Sequence, residues 1–165
     1  ATNLDIPDSS FDVVLCLGPM YHLPVEEREL ALSECVRIAA DGAVIAFAYI
    51  SPMGAYLKGV LSWPENYPNE KANEYCLRRG IDDLRPELLF YSTPEQMSDM
   101  AKGYGLSVLR NAGVDFSFND SLLNNMSEDQ FKAWMELSDY MVRHESCTGL
   151  SNHGLLICGK SGWKI

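Results

Sequence analysis

FDVVLCLGPMYH, residues 11–22, is the stretch that decides how the chain is read. Val13, Val14, Leu15, Cys16 and Leu17 run apolar without polar alternation, the pattern of a parallel strand covered by helices on both faces. Gly18-Pro19 then stops the strand, and Tyr21 and His22 supply a polar, aromatic tip. Ligands of open α/β sheets bind outside the carboxyl ends of the strands, so Leu17, Gly18, Tyr21 and His22 stand where a pocket would open. That placement by itself assigns no chemistry.

Downstream, the spacing predicts an amphipathic helix over 24–40. Pro24 suits a first helical position, Glu26 and Glu27 complement the helix dipole, and Val25, Leu32, Cys35, Val36 and Ala39 share one face. Gly42 reads as the left-handed cap, and AVIAFAYI, 43–50, as a second fully buried strand, which makes a right-handed βαβ unit. Upstream, ATNLDIPDSS is loop-like and lacks an initiating Met, so a start inside a larger protein is expected. Residues 51–91 have no strong period but hold Tyr56, Trp63, Tyr67, Tyr75, Phe90 and Tyr91. They read as a cap insertion over the strand tips, with short helices near 53–62 and 70–79. Thr93-Pro94-Glu95-Gln96 is a capping box, and Met97, Met100, Ala101 and Tyr104 form the buried face of its helix. A strand over 106–112 follows. Ser127-Glu128-Asp129-Gln130 then opens a helix with Phe131, Trp134, Met135, Met141 and Val142 available for burial, and a last strand covers 154–159.

At 165 residues and 47% hydrophobic the chain reads as a single domain able to bury a core. A net charge of -10, with no basic run longer than Arg78-Arg79, argues against nucleic acid as a partner. No apolar run is long enough for a membrane span, and no secretory leader pattern is present. The five cysteines are odd in number, form no C-x-x-C pair and sit mostly in apolar runs, as expected of reduced thiols in the cytoplasm. No two Cys or His residues have metal-ligand spacing, so no metal is expected. Asp82-Asp83 and Glu128-Asp129 read as solvated or capping charges, and no G-x-S-x-G elbow marks a nucleophilic serine.

The lead-in Asn3 to Val14 and the run Leu17-Gly18-Pro19-Met20-Tyr21-His22-Leu23 resemble the fourth-strand region of class I S-adenosylmethionine-dependent methyltransferases, of the methyltransferase type 11 kind. The helix, Asp41-Gly42, the strand to Ile50 and the late segment Gly149 to His153 continue the likeness. It covers nearly the whole chain but only the C-terminal half of that family's catalytic domain. The resemblance implies a partial Rossmann-like three-layer α/β sandwich, a half-sheet in the family's order 4-5-7-6 with the last strand antiparallel, and a helical cap insertion at about 51–91 in one partial domain, 1–165. It also implies S-adenosyl-L-methionine as cofactor and methyl transfer to a small-molecule acceptor. The glycine-rich turn and the two cofactor-binding acids of the family are absent. The G-x-G at Gly103 to Gly105 follows a helix and reads as its cap.

By that resemblance Ala1, Thr2 and Asn3 face the adenine, while Leu17, Gly18, Tyr21 and His22 face the methionine and ribose. His22 is either a general base for the acceptor or a helix-entry histidine. Tyr49, Tyr56, Trp63, Tyr91 and His153 are candidates for the acceptor pocket. Against this, cap aromatics often form a small core of their own, and His153 can be a polar strand-entry residue. His144 suits a helix C-terminus and is assigned no chemistry. Strand 11–17 becomes an edge, so it is expected to pair with a second copy or with the missing N-terminal half, or to lie under the cap. The alternative function is a non-catalytic, methyltransferase-like interaction domain that dimerises through that strand.

Overall fold

The computed structural model describes residues 1–78 and 89–162. Strand β1 (Phe11–Cys16) ends at Gly18, the N-cap of a single-turn helix α1 (Pro19–His22), and α2 (Val25–Ile38) returns along the sheet to β2 (Ala39–Ile50). The insertion holds α3 (Pro52–Ser62), a 3-10 turn at Pro64–Asn66 and α4 (Glu70–Asn73), which runs on as a π turn to Arg78. After it come α5 (Pro94–Gly103), β3 (Ser107–Gly113), α6 (Asp120–Asn124), α7 (Glu128–Arg143), a 3-10 segment at Glu145–Leu150 and β4 (His153–Gly159). The Asp82-Asp83 reading, Arg79 and the end of the 70–79 helix lie outside the described residues.

One mixed sheet runs β1-β2-β4-β3, the order expected for the half-sheet. β1 lies parallel to β2 from Val13 opposite Val44 to Cys16 opposite Phe47. β4 is antiparallel to both of its neighbours, which sets His153 opposite Ile50 at the carboxyl end of β2. Both capping boxes form, with Thr93 and Ser127 each accepting from the backbone N–H of the glutamine three residues on. Each cap contributes about 1 kcal/mol to its helix.

The core lies on one face of the sheet. Val14, Cys16, Ile45, Phe47, Leu156 and Cys158 are buried there beneath Ala31, Leu32 and Cys35 of α2 and Met97 and Ala101 of α5. Each large apolar side chain fully buried in this layer contributes about 1.5–3 kcal/mol. The opposite face of β1 contributes little. Val13, Leu15 and Leu17 are 60%, 64% and 52% exposed, so β1 alternates instead of being buried on both faces. An unbroken apolar run calls for two covering layers, and at this strand only one is present. Nor does the described part of the insertion cover these three side chains.

Three further expectations are corrected. The helix after Pro24 stops at Ile38, and β2 starts at Ala39. Gly42 does take a positive φ of 81°, but inside the strand, where the β1–β2 register slips, instead of as a helix cap. On α7 only Met141 is buried, while Phe131 and Met135 are 46% and 52% exposed, because the helix touches the body mainly near its C-terminus, where Arg110 donates to the Val142 carbonyl. Gly103 to Gly105 does end α5, and Gly105 has φ 76°.

Candidate functional site

The carboxyl end of the β1–β2 pair is open at Gly18. Among the described residues, a Cβ built there would meet only His22 Cδ2, at 4.0 Å, which leaves the main chain approachable from them. Tyr21 closes one side, its hydroxyl donating to the Leu17 carbonyl at 2.9 Å and its ring 4.7 Å from that of His22. The end of the insertion crosses the same tips. Phe90 N–H donates to the Tyr21 carbonyl and Ser92 N–H to the Ile50 carbonyl. Beneath it lies a buried cation that sequence reading missed: Arg28, 1% exposed, donates to Ser92 Oγ and stacks its guanidinium 5.1 Å from the Phe90 ring centroid.

His153 joins this group from two strands away, with its ring centroid 6.4 Å from that of Tyr21. Its Nδ1 lies 2.9 Å from Asp115 Oδ2, and the Asn152 amide lies 3.2 Å from the same nitrogen. Ser117 donates its hydroxyl and its backbone N–H to Asp115 Oδ1, and Lys58 of α3 donates to the Ser117 hydroxyl at 3.2 Å. Burial works against ionisation of Asp115. The Ser117 and His153 hydrogen bonds and the Lys58 charge outweigh it and hold the carboxyl well below the usual carboxylate range. Asp115 also escaped the sequence reading. It sits in an aperiodic loop 38 residues before its partner, and no local pattern marks such a pair.

The remaining candidates divide. Tyr49 is fully buried with its hydroxyl on Asn111 Oδ1, and burial pushes its pKa up despite that hydrogen bond, so it belongs to the core. Tyr56 and Tyr91 share a groove within the insertion with Tyr67, Tyr75 and Cys76. There Tyr56 packs on Tyr67 and Tyr91 on Tyr75, which is a small aromatic core as well as a wall. Trp63 is 52% exposed and outside that groove. Ala1, Thr2 and Asn3 lead into Leu4, whose N–H donates to Glu34 in the later turns of α2. Among the described residues no cluster of three metal-ligating side chains occurs, and no helix is long and apolar enough to cross a membrane.

Residues 1–47 match the family model of the methyltransferase domain. The chain is similar in fold, over 97% of its length, to solved SAM-dependent methyltransferases. The class I methyltransferase-like fold is therefore established. A SAM-dependent methyltransferase from Thermotoga maritima, described as a possible histamine N-methyltransferase, is similar with TM-score 0.52 and 15% identity over 97% of this chain and 61% of that one. One from Methanosarcina mazei gives TM-score 0.54 and 12% identity over 97% of this chain and 64% of its own. The [4+2]-cyclase SpnF shares the fold at TM-score 0.51 and 14% identity, with 97% of this chain and 53% of that one covered. Thus the chain spans about three fifths of the length of the solved methyltransferases it matches. No protein of curated function matches it in sequence.

The residues present fit one wall of a site for S-adenosyl-L-methionine. The bare main chain at Gly18, a carbonyl at Leu17 and the Tyr21 ring suit a sulfonium and its tail. The strand-tip run Leu17 to Leu23 contains no carboxylate to hold ribose hydroxyls, nor a glycine-rich turn.

Proposed function

We propose that this chain supplies the acceptor-side half of a class I S-adenosylmethionine-dependent methyltransferase that acts on a small molecule. The observation that carries the reading is the open carboxyl end of the parallel β1–β2 pair, where Gly18 leaves the main chain bare and Tyr21, His22 and His153 gather. The Leu17 and Gly18 main chain and Tyr21 and His22 would hold the cofactor's methionine and ribose side, with Ala1, Thr2 and Asn3 on the adenine side. When bound, S-adenosylmethionine supplies an electrophilic methyl group. The chain's own task is to orient the acceptor, move its proton and keep water out. The five free thiols agree with a cytoplasmic setting.

The test is ultraviolet photolabelling of the chain with S-adenosylmethionine tritiated in the methyl group, which registers even weak occupancy. Label is expected on the peptide containing Leu17 to Leu23 and should be competed by S-adenosylhomocysteine. Label spread over the surface, or insensitive to the competitor, would defeat the reading. The second reading, an interaction domain, draws on β1 having one strand neighbour and on the exposure of Val13, Leu15 and Leu17. It predicts self-association with no competed label.

A further inference from the structure

We infer, on the basis of the methyl-transfer reading, that Asp115 and His153 are the proton-accepting pair of this site. His153 Nε2 acts as the catalytic base, Asp115 is the positioning residue, and the acceptor is a small molecule that enters as a hydroxyl. The geometry carries this. An ionised carboxylate only accepts, so the 2.9 Å contact assigns a ring proton to Nδ1, and in the neutral ring the lone pair then lies on Nε2. The Asn152 amide beside Nδ1 shares Oδ2 with the ring, at 3.5 Å.

The carboxylate is fixed in turn by Ser117, and Ser117 by Lys58, so the ring is held from behind by three elements: the 114–119 loop, α3 and the entry to β4. His153 remains 40% exposed, on the rim that Tyr21 shares. His22, the candidate base from sequence, has its ring against that of Tyr21, and among the described residues no hydrogen bond sets its tautomer. A base oriented by a carboxylate is the arrangement that removal of a hydroxyl proton requires, whereas an acceptor already ionised near neutral pH, such as a thiolate, would not need it.

In the step so assigned, His153 Nε2 takes the proton of the acceptor hydroxyl and afterwards releases it to water. With S-adenosylmethionine bound, the cofactor would supply the methyl group to the hydroxyl oxygen, and its sulfur would keep the electron pair of the C–S bond.

The test uses the 165-residue chain, with 4-nitrophenol as the hydroxyl probe and long-range proton–nitrogen NMR of the histidine rings. His153 should show the Nδ1–H tautomer in the wild type, lose it in Asp115→Asn and regain it in Asp115→Glu. The wild type should raise the acid dissociation constant of bound nitrophenol by about tenfold or more, and His153→Gln by less than about twofold, the scale of a positioned general base. His144→Gln serves as the control with full response, and melting curves certify that each variant is folded. An Nε2–H tautomer in the wild type, or a probe response unchanged in His153→Gln, overturns the pair even where the competed photolabel is present. Loss of that label with the probe response intact overturns the methyl-transfer reading instead, and the hydroxyl-methylation assignment with it.

Discussion

At the scale of single residues, Gly18 and Asp115 carry the most. Gly18 has φ -161° and ψ -47°, outside both the α and β regions, and among the described residues only His22 Cδ2, at 4.0 Å, lies near its Cβ position. Gly18→Val is therefore expected to lose about 1–3 kcal/mol to backbone strain and, in the protein that remains folded, about tenfold or more of the competed photolabel, because its methyl groups occupy the approach to the main chain. Asp115 has its carboxyl lowered in the folded state. Its stabilising contribution is present in full above the ordinary carboxylate range, near pH 4, and is lost as pH falls below it. Melting temperatures of wild type and Asp115→Asn should thus differ most at neutral pH and converge on acidification. A constant gap across that range would mean that the hydrogen bonds act on packing alone. His153 was legible as a polar strand-entry residue because its surroundings in sequence are strand-like. Its partner was not, since contact across 38 residues is a product of the fold.

At the scale of elements, what depends on neighbouring residues was readable and what depends on a second layer was not. The capping boxes at Thr93 and Ser127, the Gly105 stop and the four strands follow from local hydrogen bonding and from apolar runs. The exposed sides of β1 and α7 do not, since Val13, Leu15, Phe131 and Met135 are as apolar as core residues and differ only in lacking a cover. We expect β1 to find a partner, so sedimentation should show concentration-dependent dimers, and Leu15→Arg should shift them toward monomer with little change in melting. A wild type that stays monomeric throughout contradicts this. On the packed side the opposite holds. A Cβ at Gly154 would sit 2.1 Å from the Tyr49 ring, so Gly154→Ala should cost about 1–3 kcal/mol in denaturant unfolding.

At the scale of the molecule, the half-sheet carries its main core on one face and leaves the opposite face of β1 exposed, and the chain spans about 61% of a solved methyltransferase of this fold. A crevice with one wall binds its ligand weakly. Calorimetry of S-adenosylhomocysteine against the chain should give a dissociation constant no tighter than about 1 mM, equivalent to about -4 kcal/mol, and micromolar binding would show that these residues suffice without a glycine turn. SpnF, a cyclase on the same fold, is a reminder that architecture leaves the reaction open, so the assignment has to rest on the side chains at the strand tips. The amino-acid order alone determined the four strands, the two capping boxes and the Gly105 stop, because periodicity, turn residues and helix ends act over a few positions. Which apolar residues are covered, that Tyr49 is core and Arg28 is buried, and that Asp115 turns the ring of His153 were decided only when distant segments met, since burial and hydrogen-bond partnership are properties of the assembled layers.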